Sequence, residues 1–412
     1  MAQMMKYVST NELKVGLDFN QNIIPVGRLA WRDYQIYFEY DQDFIVQGLE
    51  ISPLKLPLGS GLQVFNYRPF EGLPGVFNDS LPDGWGRLLF ERYVRTQNLL
   101  PEDFTPLDRL AHVGKSGLGA LVYEPDHSDD NTQGEGIDLD LLSQQTHEIM
   151  EGEADEVLKE LINLNGSSAG ARPKALIGLD NTKGRIISGK HNLPENYEHW
   201  IVKFANSTDG VDAGAVEYVY ALMAKMASVE MMPVNLFESS IGAGYFATKR
   251  FDRMGNQRFH MHTASGLLHS DFRISSLDYE DLITLTGVLT KDIREVEKMY
   301  RLAVFNVLSH NRDDHSKNFS FLMDNKGEWK LSPAYDLTFS SGPRGQQSTM
   351  VMGEGQTPST DHLVQLGIVA NLERNKIDAI IQQTKYALNH WEVLAANHGV
   401  TKANIKLIKS RI

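Results

Sequence analysis

The chain has 412 residues, 42% apolar and 23% charged, which is enough to bury a sizeable core and excludes disorder along its whole length. Its formal charge of −13 makes a general nucleic-acid binder a poor fit, because a net negative surface repels phosphate backbones. With no cysteine, disulfides, thiolate nucleophiles and Cys-based zinc sites are excluded together. The first residues show no signal peptide and no apolar run approaches membrane-spanning length, so a cytoplasmic protein without a membrane partner is expected.

In chain order, Val26–Trp31, Tyr34–Tyr40 and Phe44–Leu49 read as a small β-meander. Residues 70–86, rich in Gly, Pro, Asn and Asp, predict an ordered turn region, and Arg87–Gln97 a helix. Residues 124–137 are linker-like. Leu139–Leu164 is amphipathic and reads as helix, at least from Ala154 on. Ala175–Leu179 and Arg185–Ser188 predict a hairpin, Trp200–Phe204 a strand, and Val216–Ala227 a helix. Leu236–Ser240 and Tyr245–Arg250 predict a second hairpin. From 277 the pattern is mostly helical, notably Ile293–Leu308, interrupted by a tight hairpin at 319–331; the Gly-, Ser- and Gln-rich residues 341–359 predict a mobile segment.

Residues 310–318, HNRDDHSKN, carry the strongest chemical signal. Phosphoryl transfer needs a carboxylate for the attacking hydroxyl, hard oxygen ligands for Mg²⁺ and cations for the developing charge. Kinase catalytic loops supply an Asp, an Asn five residues later, and a second Asp after a hairpin. Asp313, Asn318 and Asp336 repeat that order, and Lys317 is placed to contact phosphate or steady Asp313. Two other readings stand beside it: the acids cap a helix end, or Asp314-His315 with His310 bind metal as in HD-type phosphohydrolases.

Lys203 lies within the apolar strand WIVKF, where its ammonium needs an anion or solvent. A phosphate of ATP and Glu217 on the next helix are candidate partners. Gly166 to Lys174 is a small-residue loop whose N–H groups, at Ser168, Ala169 and Gly170, suit an anion nest, though it is no Walker A loop and also reads as an ordinary turn. Lys249-Arg250-Phe251-Asp252-Arg253 ends a strand where a hinge could read adenine, with Asp252 near the ribose.

These pieces in this order resemble the HipA family of serine/threonine kinase toxins: FNDSLPDGWG (77–86), SSAGARPKA (167–175), Lys203, KRFDR (249–253), NRDDHSKNF (311–319) and LSPAYD (331–336). The resemblance implies an α+β architecture. An N-terminal α/β region over 1–140 precedes a kinase N-lobe-like region over 141–255 and a helical C-lobe over 256–412. It implies Asp313 as catalytic base, Asn318 and Asp336 as Mg²⁺ ligands, Lys203 on phosphate and Lys249 to Phe251 at adenine. Ser167 matches a serine that family members autophosphorylate, and a phosphoserine there cannot share the nest with ATP. The implied partners are a helix-turn-helix antitoxin of HipB type, with DNA reached only through it, and a protein substrate such as an aminoacyl-tRNA synthetase. The chain departs from the family pattern at Arg172-Pro173, Lys249 and Arg312. A non-catalytic nucleotide-binding co-repressor is the alternative from a different class.

Overall fold

The structure is a computed structural model that describes residues 9–20, 22–128, 136–152, 158–165, 170, 172–182, 184–206, 209–274 and 276–412. The N-terminal elements are β1 (Glu12–Asp18), β2 (Ile23–Arg32), β3 (Gln35–Tyr40), α1 (Gln42–Gln47), β4 (Gln63–Val64), α2 (Gly75–Asn78), α3 (Gly84–Thr96), α4 (Pro106–Val113) and β5 (Leu121–Glu124). Next come α5 (Leu139–Glu151), α6 (Leu158–Asn165), β6 (Lys174–Asp180), β7 (Ile186–Ser188), β8 (Tyr197–Lys203), α7 (Ala213–Met226), β9 (Val234–Phe237) and β10 (Tyr245–Lys249). Then follow β11 (Arg253–Met254), β12 (Gln257–Arg258), β13 (His260–Thr263), α8 (Ala264–Leu268), α9 (Tyr279–Thr290), α10 (Ile293–Leu308), β14 (Ser320–Met323) and β15 (Trp329–Leu331). The chain ends in α11 (Thr360–Val369), α12 (Arg374–Leu388), α13 (Trp391–Asn397) and α14 (Lys402–Lys409). This is the mixed α+β composition expected.

The chain forms two compact units, neither a single stretch. One comprises Met1–Thr208, Asp252–His262 and Met323–Gly327; the other Asp209–Phe251, Thr263–Leu322 and Glu328–Ile412.

In the first unit, one sheet has the order β4-β3-β2-β1-β5. Alternation along β3 turns Ile36, Phe38 and Tyr40 inward, and Phe38 packs edge-on to Tyr40 at 4.8 Å and against Phe77 at 4.9 Å. Gly27 of β2 faces the Glu39 carbonyl of β3 so closely that a Cβ would collide with it. Residues 44–49, expected as the third strand of a meander, instead lie largely in α1. Asp41 stands at its N-cap, Asp43 in its first turn, and Gly48 closes it in the left-handed conformation at φ 73°. Those end signals outweigh the apolar run Phe44–Val46. The same unit holds β6 between β7 and β8, with β6 and β8 antiparallel and Lys174 directly opposite Lys203.

The second unit is mainly helical around Tyr220, Met223, Tyr279, Met299, Tyr300, Phe305 and Trp391, all fully buried. Each such ring removes upward of ~150 Å² from water. Helix α7 packs with α12 and α13, and α10 with α9 and α12. The β9–β10 hairpin matches its expected pairing, and β14 and β15 form the hairpin expected at 319–331. The segment 341–359 is packed rather than mobile: Gln347, Thr349 and Val351 are buried, and Asp278 and Met350 form a bridge. Its polar residues meet partners inside the unit, which composition alone cannot distinguish from solvation.

Candidate active site

Helix α10 delivers the chain into residues 310–318. The turn is made by His310 at φ 56°, whose backbone N–H donates to the Val307 carbonyl of α10 at 3.3 Å, whose Nδ1 lies 3.2 Å from the Ser340 carbonyl, and whose ring stacks on Phe339. Two adjacent acids then diverge. Asp313 is exposed; Asp314 is completely buried.

Asp314 is the anchor of the loop. Its Oδ2 accepts from the Tyr279 hydroxyl at 2.6 Å and from Gln347 Nε2 at 2.9 Å, and its Oδ1 from the backbone N–H groups of Ser348 at 3.1 Å and Thr349 at 3.2 Å. Behind them, Asn306 donates to the Tyr279 hydroxyl at 3.0 Å, Asn311 to Asn306 Oδ1 at 3.0 Å, and Gln347 to the Asn311 carbonyl at 2.9 Å. Burial pushes the Asp314 carboxyl up to about 7, against the downward pull of Tyr279 and Gln347. Burial and the neighbouring Asp314 charge push the Tyr279 hydroxyl well above its ordinary value. With four donors on two oxygens, Asp314 has no lone pair left for a metal, which removes the HD-type reading. Sequence reasoning missed Tyr279, Asn306, Asn311 and Gln347; their only signal was polarity within otherwise apolar helices or a polar loop.

Asn318 turns its side chain back, so that Nδ2 donates to the Asp313 carbonyl at 2.8 Å and holds the loop closed. That orientation spends the amide donor and keeps Oδ1 as an acceptor. The hairpin of β14 and β15 then folds the chain back, with Ser332 N–H on the Ser320 carbonyl at 2.9 Å. Tyr335 completes the return: its hydroxyl donates to the Lys317 carbonyl at 2.6 Å and lies 2.6 Å from Ser320 Oγ. Asp336, the next residue, is held at φ 59°, an uncommon left-handed backbone for a non-glycine. The Lys317 ammonium lies 4.7 Å from the centre of the Phe272 ring, a cation–π arrangement. Phe251 packs against Tyr335 with ring centres 5.3 Å apart. Thus Asp313, Lys317, Asn318, Asp336 and Phe251 all belong to one unit and are linked through Tyr335 and the hairpin.

Among the described residues no group of three or more His, Asp or Glu gathers to hold a metal by itself. Asn318 Oδ1 and the Asp336 carboxylate are hard oxygens of the kind Mg²⁺ takes when phosphate supplies the rest of its shell, so these residue types fit that ion.

Lys203 is the last residue of β8, half-buried, in the other unit. Lys249 ends β10 and is half-buried. Asp252 departs from its expected place at a ribose. It is only 2% exposed, and its Oδ2 accepts the Gly119 N–H at 2.7 Å and Arg253 at 2.7 Å. Arg253 and Arg258 then fasten this stretch to the carbonyls of Gly117 and Gly119. A carboxylate so engaged ties the chain at 252–253 to Gly119 instead of facing a ribose. Ser167, Ser168 and Ala169 lie outside the described residues. Gly170, at φ 109°, gives its N–H to the Asp83 carboxylate, so that N–H is not the free phosphate donor expected of it.

The HipA N-terminal domain family matches residues 17–124, and the HipA-like C-terminal domain family matches residues 166–391. A curated relative, the putative kinase Y4dM of Sinorhizobium fredii, is 25% identical over 219 residues, 48% of this chain and 53% of its own length. The chain thus spans about half the length of the curated relative it matches. Among solved structures, the complex of the Shewanella oneidensis MR-1 toxin–antitoxin proteins HipA and HipB with operator DNA contains a similar chain. Its TM-score is 0.68 at 16% identity, over 97% of this chain and 94% of that one. That likeness is one of fold. The Helicobacter pylori proinflammatory kinase CtkA aligns over 52% of this chain at a TM-score of 0.33, too low to bear on the site. Among the described residues no helix is long and apolar enough to cross a membrane.

Proposed function

The chain belongs to the HipA family, and from that premise we propose that it is an ATP- and Mg²⁺-dependent serine/threonine protein kinase, the toxin of a toxin–antitoxin pair. The observation that carries the reading is the divergence of Asp313 and Asp314. One acid is exposed at the tip of a loop; the next is buried and wired to four donors, which fixes the first in place. A rigid exposed carboxylate is what a hydroxyl acceptor requires.

In this reading Asp313 orients the substrate hydroxyl and takes its proton as the oxygen bonds to the γ-phosphorus. The bond from that phosphorus to the β–γ bridging oxygen breaks, and ADP leaves. Mg²⁺, when bound, supplies charge neutralisation at the phosphate oxygens. Asn318 Oδ1 and Asp336 would hold it. Lys317 supplies positive charge, Phe251 and the backbone at Lys249 form an apolar wall for adenine, and Lys203 is the phosphate lysine by family resemblance. Ser167 is the proposed autophosphorylation site, by family resemblance. The S. oneidensis protein's complex with HipB and operator DNA supports an antitoxin of that type as partner here. A charge of −13 suits a chain that reaches DNA through a basic partner rather than directly. The proposed substrate is a protein, with an aminoacyl-tRNA synthetase the first to try.

The test uses full-length protein whose mass shows Ser167 unmodified, incubated with Mg²⁺ and γ-labelled ATP beside Asp336→Asn. Label on a serine or threonine of the parent and none on the variant is expected. A parent that binds ATP but transfers nothing, to itself or to synthetases, would overturn the kinase reading in favour of the non-catalytic partner.

A further inference from the structure

The motif FNDSLPDGWG is among the most distinctive stretches of the chain, yet no step of phosphoryl transfer uses it. Its residues are spent on contacts within the first unit. Asp79 takes His262 Nδ1 at 2.6 Å, whose Nε2 meets Ser52 Oγ at 3.0 Å, and Ser80 Oγ accepts the Tyr123 hydroxyl at 2.7 Å. That buried end is rigid. The other end carries Asp83 at the N-cap of α3. An Asp there normally accepts N–H groups of its own helix; here it makes no such bond. Its carboxylate instead receives the Gly170 N–H, and Trp85 N–H donates back to the Gly170 carbonyl at 3.1 Å.

We propose that Asp83 is a positioning residue for the phosphate-binding loop, and that the N-terminal motif serves to clasp Gly170 by both its backbone groups. The inference rests on reading residues 166–174 as that loop. Three observations support it. Gly170 sits at φ 109°, where an L side chain is strained, so the backbone there needs holding. Helix α6, which enters the loop, packs on α3 and on β6, so one helix fixes both the stem and Gly170. Lys174 lies against Gly170 with its ammonium and pairs across the sheet with Lys203, so the clasp holds Gly170 beside the start of β6. Asp83 touches no substrate in this account; it acts by keeping the loop in its binding-ready geometry. Apparent affinity scales with the fraction of molecules in that geometry, whereas the rate at saturation does not.

The experiment compares the parent, Asp83→Ala and Asp83→Asn in the full chain. Hydrogen–deuterium exchange of the Gly170 amide without nucleotide reads the clasp itself. Titration with MgATP reads its consequence. Losing one charge-assisted bond should speed Gly170 exchange and raise the apparent KM for ATP roughly tenfold or more, with kcat retained. The Asn variant keeps an acceptor oxygen and should restore most of the affinity. Exchange at Gly170 unchanged in Asp83→Ala would overturn the clasp, whatever the protein does with ATP. So would a fall in kcat at constant KM, the sign of merely losing folded molecules. If exchange responds as expected while the parent neither binds nor uses ATP, the clasp stands and the kinase reading falls.

Discussion

Replacing Asp314 by Asn should flatten the pH dependence of stability, and the size of the effect follows from burial. The native carboxyl is pushed up to about 7 from 3.8, so between these values the folded protein holds a proton that the unfolded chain releases. Stability from that proton is fully present below 3.8 and is lost as pH rises through 7. Between pH 5 and pH 8 the loss is about 2.5 kcal/mol by linkage. Asn has no proton to lose. It can keep its oxygen toward the Ser348 and Thr349 N–H groups and turn its amide toward Tyr279, whose hydroxyl can rotate, and toward Gln347, whose amide can flip to present its oxygen, so it should fold. The assay is urea unfolding of parent and Asp314→Asn at several pH values across that range. Other titrating groups are common to both proteins and cancel in the difference. Stability curves that run parallel within about 0.5 kcal/mol would refute the reasoning, and would mean that four donors keep Asp314 ionised despite its burial.

Asp252→Ala leaves the buried Arg253 guanidinium without its carboxylate, and should destabilise the first unit by about 3 kcal/mol, read by denaturant unfolding. Tyr335→Phe removes the bond to the Lys317 carbonyl, worth about 1 kcal/mol in stability; by loosening the return to Asp336 it should lower phosphoryl transfer about tenfold while the melting temperature moves little. Gly27→Ala should cost about 1–3 kcal/mol, because its Cβ meets the backbone carbonyl of Glu39 rather than a side chain that can swing away; a neutral effect on unfolding would show that β2 and β3 can shift apart.

What could be read from sequence was local. The hairpins at 174–188, 234–249 and 320–331 announced themselves through short apolar runs around turn residues, and α10 through its helical spacing. The hairpin between Asn318 and Asp336 was legible for the same reason: all its members lie within one short stretch. What failed depended on distant partners. Asp252 looked like a ribose ligand because the Gly119 N–H that occupies it is 133 residues away. Asp314 could be read as a helix cap or a metal ligand because Tyr279 and Gln347, its donors, are 35 and 33 residues off. The segment 341–359 looked mobile because buried polar residues and solvated ones have the same composition. Residues 44–49 were misjudged locally: three consecutive apolar residues fit a strand or a short helix, and only Asp41 and Gly48 at its ends decide.

The first unit is completed by residues 252–262 and 323–327, and this has a consequence for biosynthesis. When residues 115–119 leave the ribosome, Arg253 and Arg258 have not yet been made. At about 5–20 residues per second, the 133 residues separating Gly119 from Asp252 take roughly 7–27 s. During that time the loop's carbonyls and the Gly119 N–H lack the partners that Asp252, Arg253 and Arg258 supply in the folded unit, and β6 and β8 emerge before their unit can close. The nascent chain therefore carries an unfinished unit through much of its synthesis, a window in which a chaperone gains access.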